Sequence, residues 1–329
     1  MMTPQKPLGS GFGAATTADE VIAGIDLSGK TAIVTGGYSG LGRETARVLR
    51  AAGARVIVPA RDMHRAREAL VGIDVEIAPM DLLDPASIDA FAASFLESTP
   101  VLHMLINSAA IMAVPELTRD PRGYEYQFAT NHLGHFQLTM RLLSALRNAG
   151  GARVVSVSSI GHRYSPVVFD DPNFERRQYT PWAGYGQSKT ANILFAVALD
   201  QREKAHGIRA FSLHPGAIAD TGLGKHIPRE QLIAAGVLDE QGKPVRDPAR
   251  HLKTIGQGAA TQVWCATSPQ LNGLGGVYCE NVDVAAVMAQ QPEKMDMADA
   301  MRLTGVVPYA IDPAFADELW GLSERLLNF

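Results

Sequence analysis

The stretch that most constrains this chain is Thr35-Gly36-Gly37-Tyr38-Ser39-Gly40-Leu41-Gly42, set between an apolar run at residues 31–34 and a helical pattern at residues 41–52. A strand that ends in closely spaced glycines and leads straight into a helix turns backbone N–H groups and the positive end of a helix dipole toward the turn. Such a turn suits a diphosphate. The spacing Gly36-x-x-x-Gly40-x-Gly42 is looser than the Gly-x-Gly-x-x-Gly fingerprint, and a glycine-rich turn can also be purely structural.

Compact apolar runs at residues 31–34, 55–59, 75–80, 102–107, 153–157 and 209–213 alternate with helical patterns, and residues 276–280 add a seventh. Runs of this kind suit strands covered on both faces, and parallel neighbours need helical crossovers. Helices are expected at residues 65–71, 85–96, 123–146, 185–206 and 258–267, the second capped by Asp84 with Pro85 in its first position. The expected architecture is α/β: a single-domain Rossmann fold with a doubly wound, seven-stranded parallel sheet flanked by helices. Residues 26–285 would form this domain. Residues 1–25 read as an N-terminal arm, mobile over residues 1–17, and residues 286–329 as a C-terminal extension packed on the same domain. The polar, proline-broken residues 218–255 suggest a helical substrate flap. The extension is Met-rich from Pro292 and amphipathic over residues 314–327; its apolar side could close a pocket or pack between subunits.

With 46% apolar residues in a chain of 329, a sizeable core is available. Lysine and arginine (30) against aspartate and glutamate (34) leave a formal charge of −4, which argues against a nucleic-acid partner. No uninterrupted apolar stretch reaches the roughly 18 residues that a membrane span needs. Cys265 and Cys279 lack a Cys-x-x-Cys spacing and read as reduced thiols in a cytoplasmic protein. His132, His135, His162 and His214 lack a converging ligand set, so packing or hydrogen bonding is expected of them and no metal.

Of the 8 tyrosines, Tyr185 alone has a lysine four residues later, Lys189. On a helix the two share a face. An ammonium near a phenol favours the phenolate, lowering a proton affinity that is ordinarily about 10. A phenol so tuned can trade protons near neutrality. In isolation the pair would read as an ordinary polar pair on a solvated face, but it opens a helix directly after a loop at the strand-end crevice.

Taken together, these motifs resemble the short-chain dehydrogenase/reductase family, most closely its retinol-dehydrogenase-like and bacterial NAD(P)-dependent oxidoreductase branch. The likeness runs from Asp26 to Glu280. It implies that the cofactor lies on Gly36, Tyr38, Ser39, Gly40, Leu41, Gly42 and Arg43, with Asp81 and Leu82 at the adenine. Asn107-Ser108-Ala109-Ala110 stands where the family has Asn-Asn-Ala-Gly, so Asn107 and Ala109 match. By the same resemblance Tyr185 is the general acid/base, Lys189 holds the nicotinamide ribose and polarises Tyr185, Ser159 steadies the substrate oxygen, and Asn131 anchors a water relay. Ser158 is the alternative to Ser159. Pro215, Gly216 and Thr221 would meet the nicotinamide, although Thr221 comes one residue later than usual. Residues 160–184 form a longer insertion than the family often has, comparable to that of the retinol-dehydrogenase-like branch. It carries Tyr164, Phe169, Phe174, Tyr179 and Trp182, which suit either an aromatic wall for a bulky apolar substrate or plain loop packing.

Where an acid would bind the ribose of NAD the chain has Ala60, followed by Arg61, with Arg43 as a second clamp; this favours NADP(H), with NAD(H) possible. The expected activity is hydride transfer between a nicotinamide and a secondary alcohol or carbonyl, in a homodimer or homotetramer. Two rivals are a non-catalytic dinucleotide-binding sensor and a sugar-nucleotide epimerase or dehydratase.

Overall fold

The computed structural model describes residues 3–289, 297–300 and 302–329. The chain begins with helix α1 (Ala18–Ile22), then alternates β1 (Thr31–Val34), α2 (Gly40–Ala51), β2 (Arg55–Ala60), α3 (Met63–Ala69), β3 (Glu76–Pro79), α4 (Pro85–Ser98) and β4 (Met104–Asn107). A broken helix follows: α5 (Tyr126–Phe128), a π turn (Ala129–Leu133), α6 (Gly134–Arg141) and α7 (Leu143–Asn148). Next come β5 (Ala152–Val157), the long α8 (Pro181–Glu203), β6 (Ile208–Leu213), α9 (Arg229–Ala234), α10 (Ile255–Thr267), β7 (Val277–Glu280) and β8 (Asp283–Val284). Helices α11 (Met297–Ala300) and α12 (Pro313–Leu327) complete the described chain.

The strands lie in the order β3-β2-β1-β4-β5-β6-β7-β8. β1 and β4 are buried throughout because both sheet faces are covered, which is why each reads as an unbroken apolar run. One face packs on α2 and α10 through residues such as Leu49, Val263 and Trp264, and the other on α4, α6 and α8 through Phe91, Phe136 and Leu194. The order of connection reverses between β1 and β4, so a crevice opens beyond their carboxyl ends.

Four expectations need correction. The sheet has an eighth strand: β8 pairs antiparallel with β7 after a reversal at Asn281 and Val282, whose φ angles are 51° and 63°. The arm expected to be mobile is fastened to that edge. Gln5 donates to the carbonyls of Tyr278 and Ala285 at 2.8 and 2.7 Å, and the Asp283 carboxylate accepts from the amides of Leu8, Gly9 and Ser10. The expected helix at residues 123–146 is interrupted, because Gly134 bonds back to Ala129 in a π turn. The flap, expected to be helical, is mostly loop around α9, with a small core of Ala235, Val237 and Leu252 against which Ile160 packs.

Of the two uses weighed for the apolar side of α12, packing is what is seen, but within the chain. Trp320 lies 4.9 Å from the Phe136 ring and 6.2 Å from that of Phe195, and Ser323 bonds His132 at 2.7 Å. The Met-rich opening of the extension falls largely outside the described residues.

Candidate active site

At the amino end of α2, Ser39 is the N-cap but its side chain makes no capping bond, so among the described residues the first-turn N–H groups are left without a side-chain cap. Gly36, at φ 66°, lets the turn pass the strand-end loop, where a Cβ would sit 3.0 Å from Ala109 Cα. A Cβ on Gly42 would lie 2.5 Å from the Gly36 carbonyl oxygen, so only glycine brings the helix this close to the turn. Tyr38 packs against the cluster beneath β1 and β2, and Leu41 lies against Gly258 of α10. Thr221 hangs over the turn, with Cγ2 3.1 Å from where a Gly40 Cβ would be. Asn107 donates to Thr139 Oγ1 at 3.2 Å, while its buried Oδ1 has no partner among the described residues. An uncapped helix end, a glycine cradle and an orphaned acceptor at one crevice fit a dinucleotide.

The other wall is the start of α8, set by Pro181 and by Thr180, whose hydroxyl accepts from the Ala183 amide at 3.1 Å. Tyr185 and Lys189 are 2% and 1% exposed on the same helix. The Tyr185 ring and the Ser159 hydroxyl meet beside Gly161, where a Cβ would lie 2.8 Å from Tyr185 Cε1 and 3.4 Å from Ser159 Oγ; that oxygen accepts from the Gly161 amide at 3.0 Å. Ser158 instead donates to the Lys189 carbonyl at 2.7 Å. The Lys189 ammonium donates to the Val157 carbonyl at 3.0 Å and lies 5.7 Å from the Tyr185 ring centre.

Burial pushes the Tyr185 phenol up to about 12, with the neighbouring Ser159 hydroxyl acting against it, and burial pulls Lys189 down to about 7. This corrects the expectation that the ammonium would lower the phenol. Desolvation dominates at both groups, and Lys189 is not among the causes acting on the phenol.

Asn131 sits in the π turn. Its Oδ1 accepts from the Ile111 amide at 2.9 Å, and its Nδ2 donates to the Ile111 carbonyl and to Ser188 Oγ at 3.0 and 2.9 Å. Its backbone carbonyl accepts from His135 Nδ1 at 3.0 Å. Thr35 Oγ1 accepts from the amides of Ser108 and Ala109 at 2.9 and 3.0 Å and meets His135 Nε2 at 2.9 Å. This buried link from the glycine turn to Asn131 is not apparent from spacing alone, though a threonine at the strand end was a visible signal. Burial holds His132 and His162 down at about 3 and His135 at about 4, so all three are neutral hydrogen-bonding rings.

At the adenosine end, Ala60 closes β2 and Arg61 is exposed just beyond it. Asp62 is committed to capping α3, accepting from the Arg65 amide at 3.0 Å. Arg43 donates to the Ala69 carbonyl at 2.6 Å. The Asp81 carboxylate accepts from the Leu83 amide at 3.0 Å, and Leu82 is buried beside Gly134. Pro215 and Gly216 follow β6, with Gly216 at φ 95°.

The aromatic residues of the insertion divide. Trp182 lies 6.1 Å from the Tyr185 ring and 5.6 Å from Tyr164. Phe169 faces Phe315 of α12 at 5.9 Å, and Phe174 packs on Tyr179 at 5.1 Å, as loop packing would have it.

The sequence profile of short chain dehydrogenases matches residues 30–232. A "Probable oxidoreductase" from Streptomyces lividans is 45% identical over 302 residues, covering 90% of this chain and 97% of the relative. "Short-chain dehydrogenase/reductase prx1" from Penicillium roqueforti is 36% identical over 311 residues, with 92% and 86% covered. A solved structure of an uncharacterised protein from Mycobacterium paratuberculosis superposes with a TM-score of 0.69 at 31% identity, spanning 95% of this chain and 98% of that one. The chain belongs to the short-chain dehydrogenase/reductase family and is an NAD(P)-dependent oxidoreductase. Among the described residues no helix is long and apolar enough to cross a membrane.

Proposed function

We propose that the protein is an NADP(H)-dependent oxidoreductase acting on a secondary alcohol or carbonyl compound, with Tyr185 as general acid/base. The observation that carries this reading is the buried Tyr185 ring set beside the Ser159 hydroxyl, on the first turns of a helix that borders the crevice. A bound nicotinamide supplies or receives the hydride; the protein's residues manage the proton and the substrate oxygen. Gly36 to Gly42 would hold the diphosphate, and Asn107, Ala109, Pro215, Gly216 and Thr221 would border the rest of the cofactor.

Ser159 orients the substrate oxygen toward the phenol. Tyr185 then gives its proton during reduction and takes one during oxidation. Lys189 stands behind it as a buried amine, and a nearby anionic cofactor favours its charged form. Charged Lys189 lowers the phenol toward the range in which proton exchange is fast. Ser158, tied to α8, is not available for the oxygen.

Preference for NADP(H) is supported by Ala60 at the end of β2, by exposed Arg61, and by Asp62 being occupied as a helix cap. Tyr164 and Trp182 beside Tyr185 favour a bulky apolar substrate. The test is a panel of ketones, aldehydes and secondary alcohols followed by nicotinamide absorbance. Turnover with NADPH well above that with NADH is expected. Equal turnover with both would overturn the cofactor choice, and no turnover across the panel would overturn the substrate class.

A further inference from the structure

Beyond the crevice, the carboxyl ends of β6 and β7 carry a buried polar cluster that the proposed chemistry does not use. His214 follows β6 and is 1% exposed. Its Nδ1 lies 3.0 Å from the Gly216 amide nitrogen. A backbone N–H only donates, so Nδ1 carries no proton and the ring proton must reside on Nε2. That nitrogen faces Glu280 Oε2 at 3.2 Å, while Glu280 Oε1 accepts from the Gly305 amide at 2.7 Å. Only glycine fits here: at φ 95°, a Cβ on Gly216 would stand 2.7 Å from the His251 carbonyl oxygen.

We propose that Glu280 is a positioning residue for the cofactor-facing turn His214-Pro215-Gly216: it holds the His214 proton on Nε2 so that Nδ1 keeps the Gly216 amide in place. This rests on the reading that Pro215 and Gly216 border the nicotinamide. Glu280 is also a counter-charge near the buried Arg163 guanidinium, a role that does not pass through His214 and would be felt equally in both His214 backgrounds of the test. The guanidinium lies 3.9 Å away and is already bonded to the carbonyls of Ala300, Leu303 and Gly305 at 2.8, 2.9 and 2.7 Å. Lys253, also nearby, donates to Asn281 Oδ1 at 2.8 Å.

The linkage makes a test possible. In Glu280→Gln the amide can accept from Gly305 only by turning its NH₂ group on the His214 N–H, so two donors meet. If the ring moves its proton to relieve this, Nδ1–H opposes the Gly216 amide instead. In His214→Asn, by contrast, the side-chain carbonyl reaches the amide two residues on, as asparagine does in turns, and needs nothing from Glu280.

NADPH binding, read from nucleotide fluorescence, is to be measured for wild type, both single variants and the double variant. Glu280→Gln is expected to weaken binding about tenfold, the scale of one lost hydrogen bond. His214→Asn should stay within about threefold of wild type, and adding Glu280→Gln to it should change nothing further. Equal weakening in both backgrounds, or no weakening in either, overturns the proposal.

A second measurement holds even if a variant does not fold. Long-range ¹H–¹⁵N spectra of the wild-type imidazoles should show His214 as the neutral Nε2–H tautomer; an Nδ1–H or charged ring overturns the linkage. Because the spectra need no cofactor, a wild type that bound no dinucleotide would refute the functional reading while the tautomer still decided this one.

Discussion

Replacing Lys189 by methionine should abolish activity and yet stabilise the cofactor-free protein at neutral pH. Burial lowers this lysine from 10.5 to about 7. Between those values the unfolded chain holds a proton that the folded chain has released, so this group's contribution to stability rises with pH across the window. Below about pH 7 the penalty for burying the charge is fully present; above about pH 10.5 it is gone. At pH 7 it amounts to about 4 kcal/mol, since each tenfold loss of proton affinity corresponds to roughly 1.4 kcal/mol.

Methionine has similar bulk but forfeits the bond to the Val157 carbonyl, about 1 kcal/mol. That carbonyl keeps Asn192 Nδ2 at 3.0 Å, so it is not orphaned. The net expectation is about 3 kcal/mol of added stability at pH 7, turning into a loss of about 1 kcal/mol near pH 10.5. Urea denaturation of both proteins across pH 7–10.5 measures the difference directly. A difference that does not change with pH would show that Lys189 is not held uncharged by burial.

Three further outcomes are expected. Arg61→Ala should weaken NADPH about tenfold or more while leaving NADH within about twofold, since a charge-assisted bond to phosphate contributes about 1.5–3 kcal/mol; equal loss for both cofactors rules Arg61 out as the phosphate reader. Ser159→Ala should lower kcat by at least about tenfold, whereas Ser158→Ala should lower stability by about 1 kcal/mol and keep kcat within a few-fold; steady-state kinetics showing the reverse would exchange the serines. Trp320→Ala should destabilise the fold by about 3–5 kcal/mol in thermal or urea melts, because the indole fills the contact between α12 and the rings of Phe136 and Phe195. A loss below about 1 kcal/mol would mean that α12 is not fastened there.

The strands were legible because residues such as Ala32, Ile33 and Val34 are buried on both faces and read as continuous apolar runs. Glycine spacing located the cradle for a related reason: Gly36 and Gly42 stand where a Cβ would meet backbone. Tyr185 and Lys189 were visible as a pair because helical geometry turns a four-residue interval into a shared face. Desolvation is not written in that interval, so the direction in which the phenol moves could not be read from it. The docked arm was hidden for another reason, since Gln5 finds Tyr278 and Ala285 only through the closed sheet. β8 has two residues, too few for a pattern. The π turn rotates the face on which Asn131 lies, and no composition signal marks it. The tautomers of His135 and His214 follow from the partners of each ring nitrogen, which three-dimensional contacts alone reveal.

Whether the Tyr185 hydroxyl moves the proton is the central question. The decisive measurement is the single-turnover rate of NADPH oxidation by wild type and Tyr185→Phe on the best substrate of the panel, with NADPH affinity determined for each. A rate lower by about 10²–10⁴ at unchanged NADPH affinity is expected for the loss of a general acid. A phenylalanine variant within a few-fold of wild type would contradict the assignment.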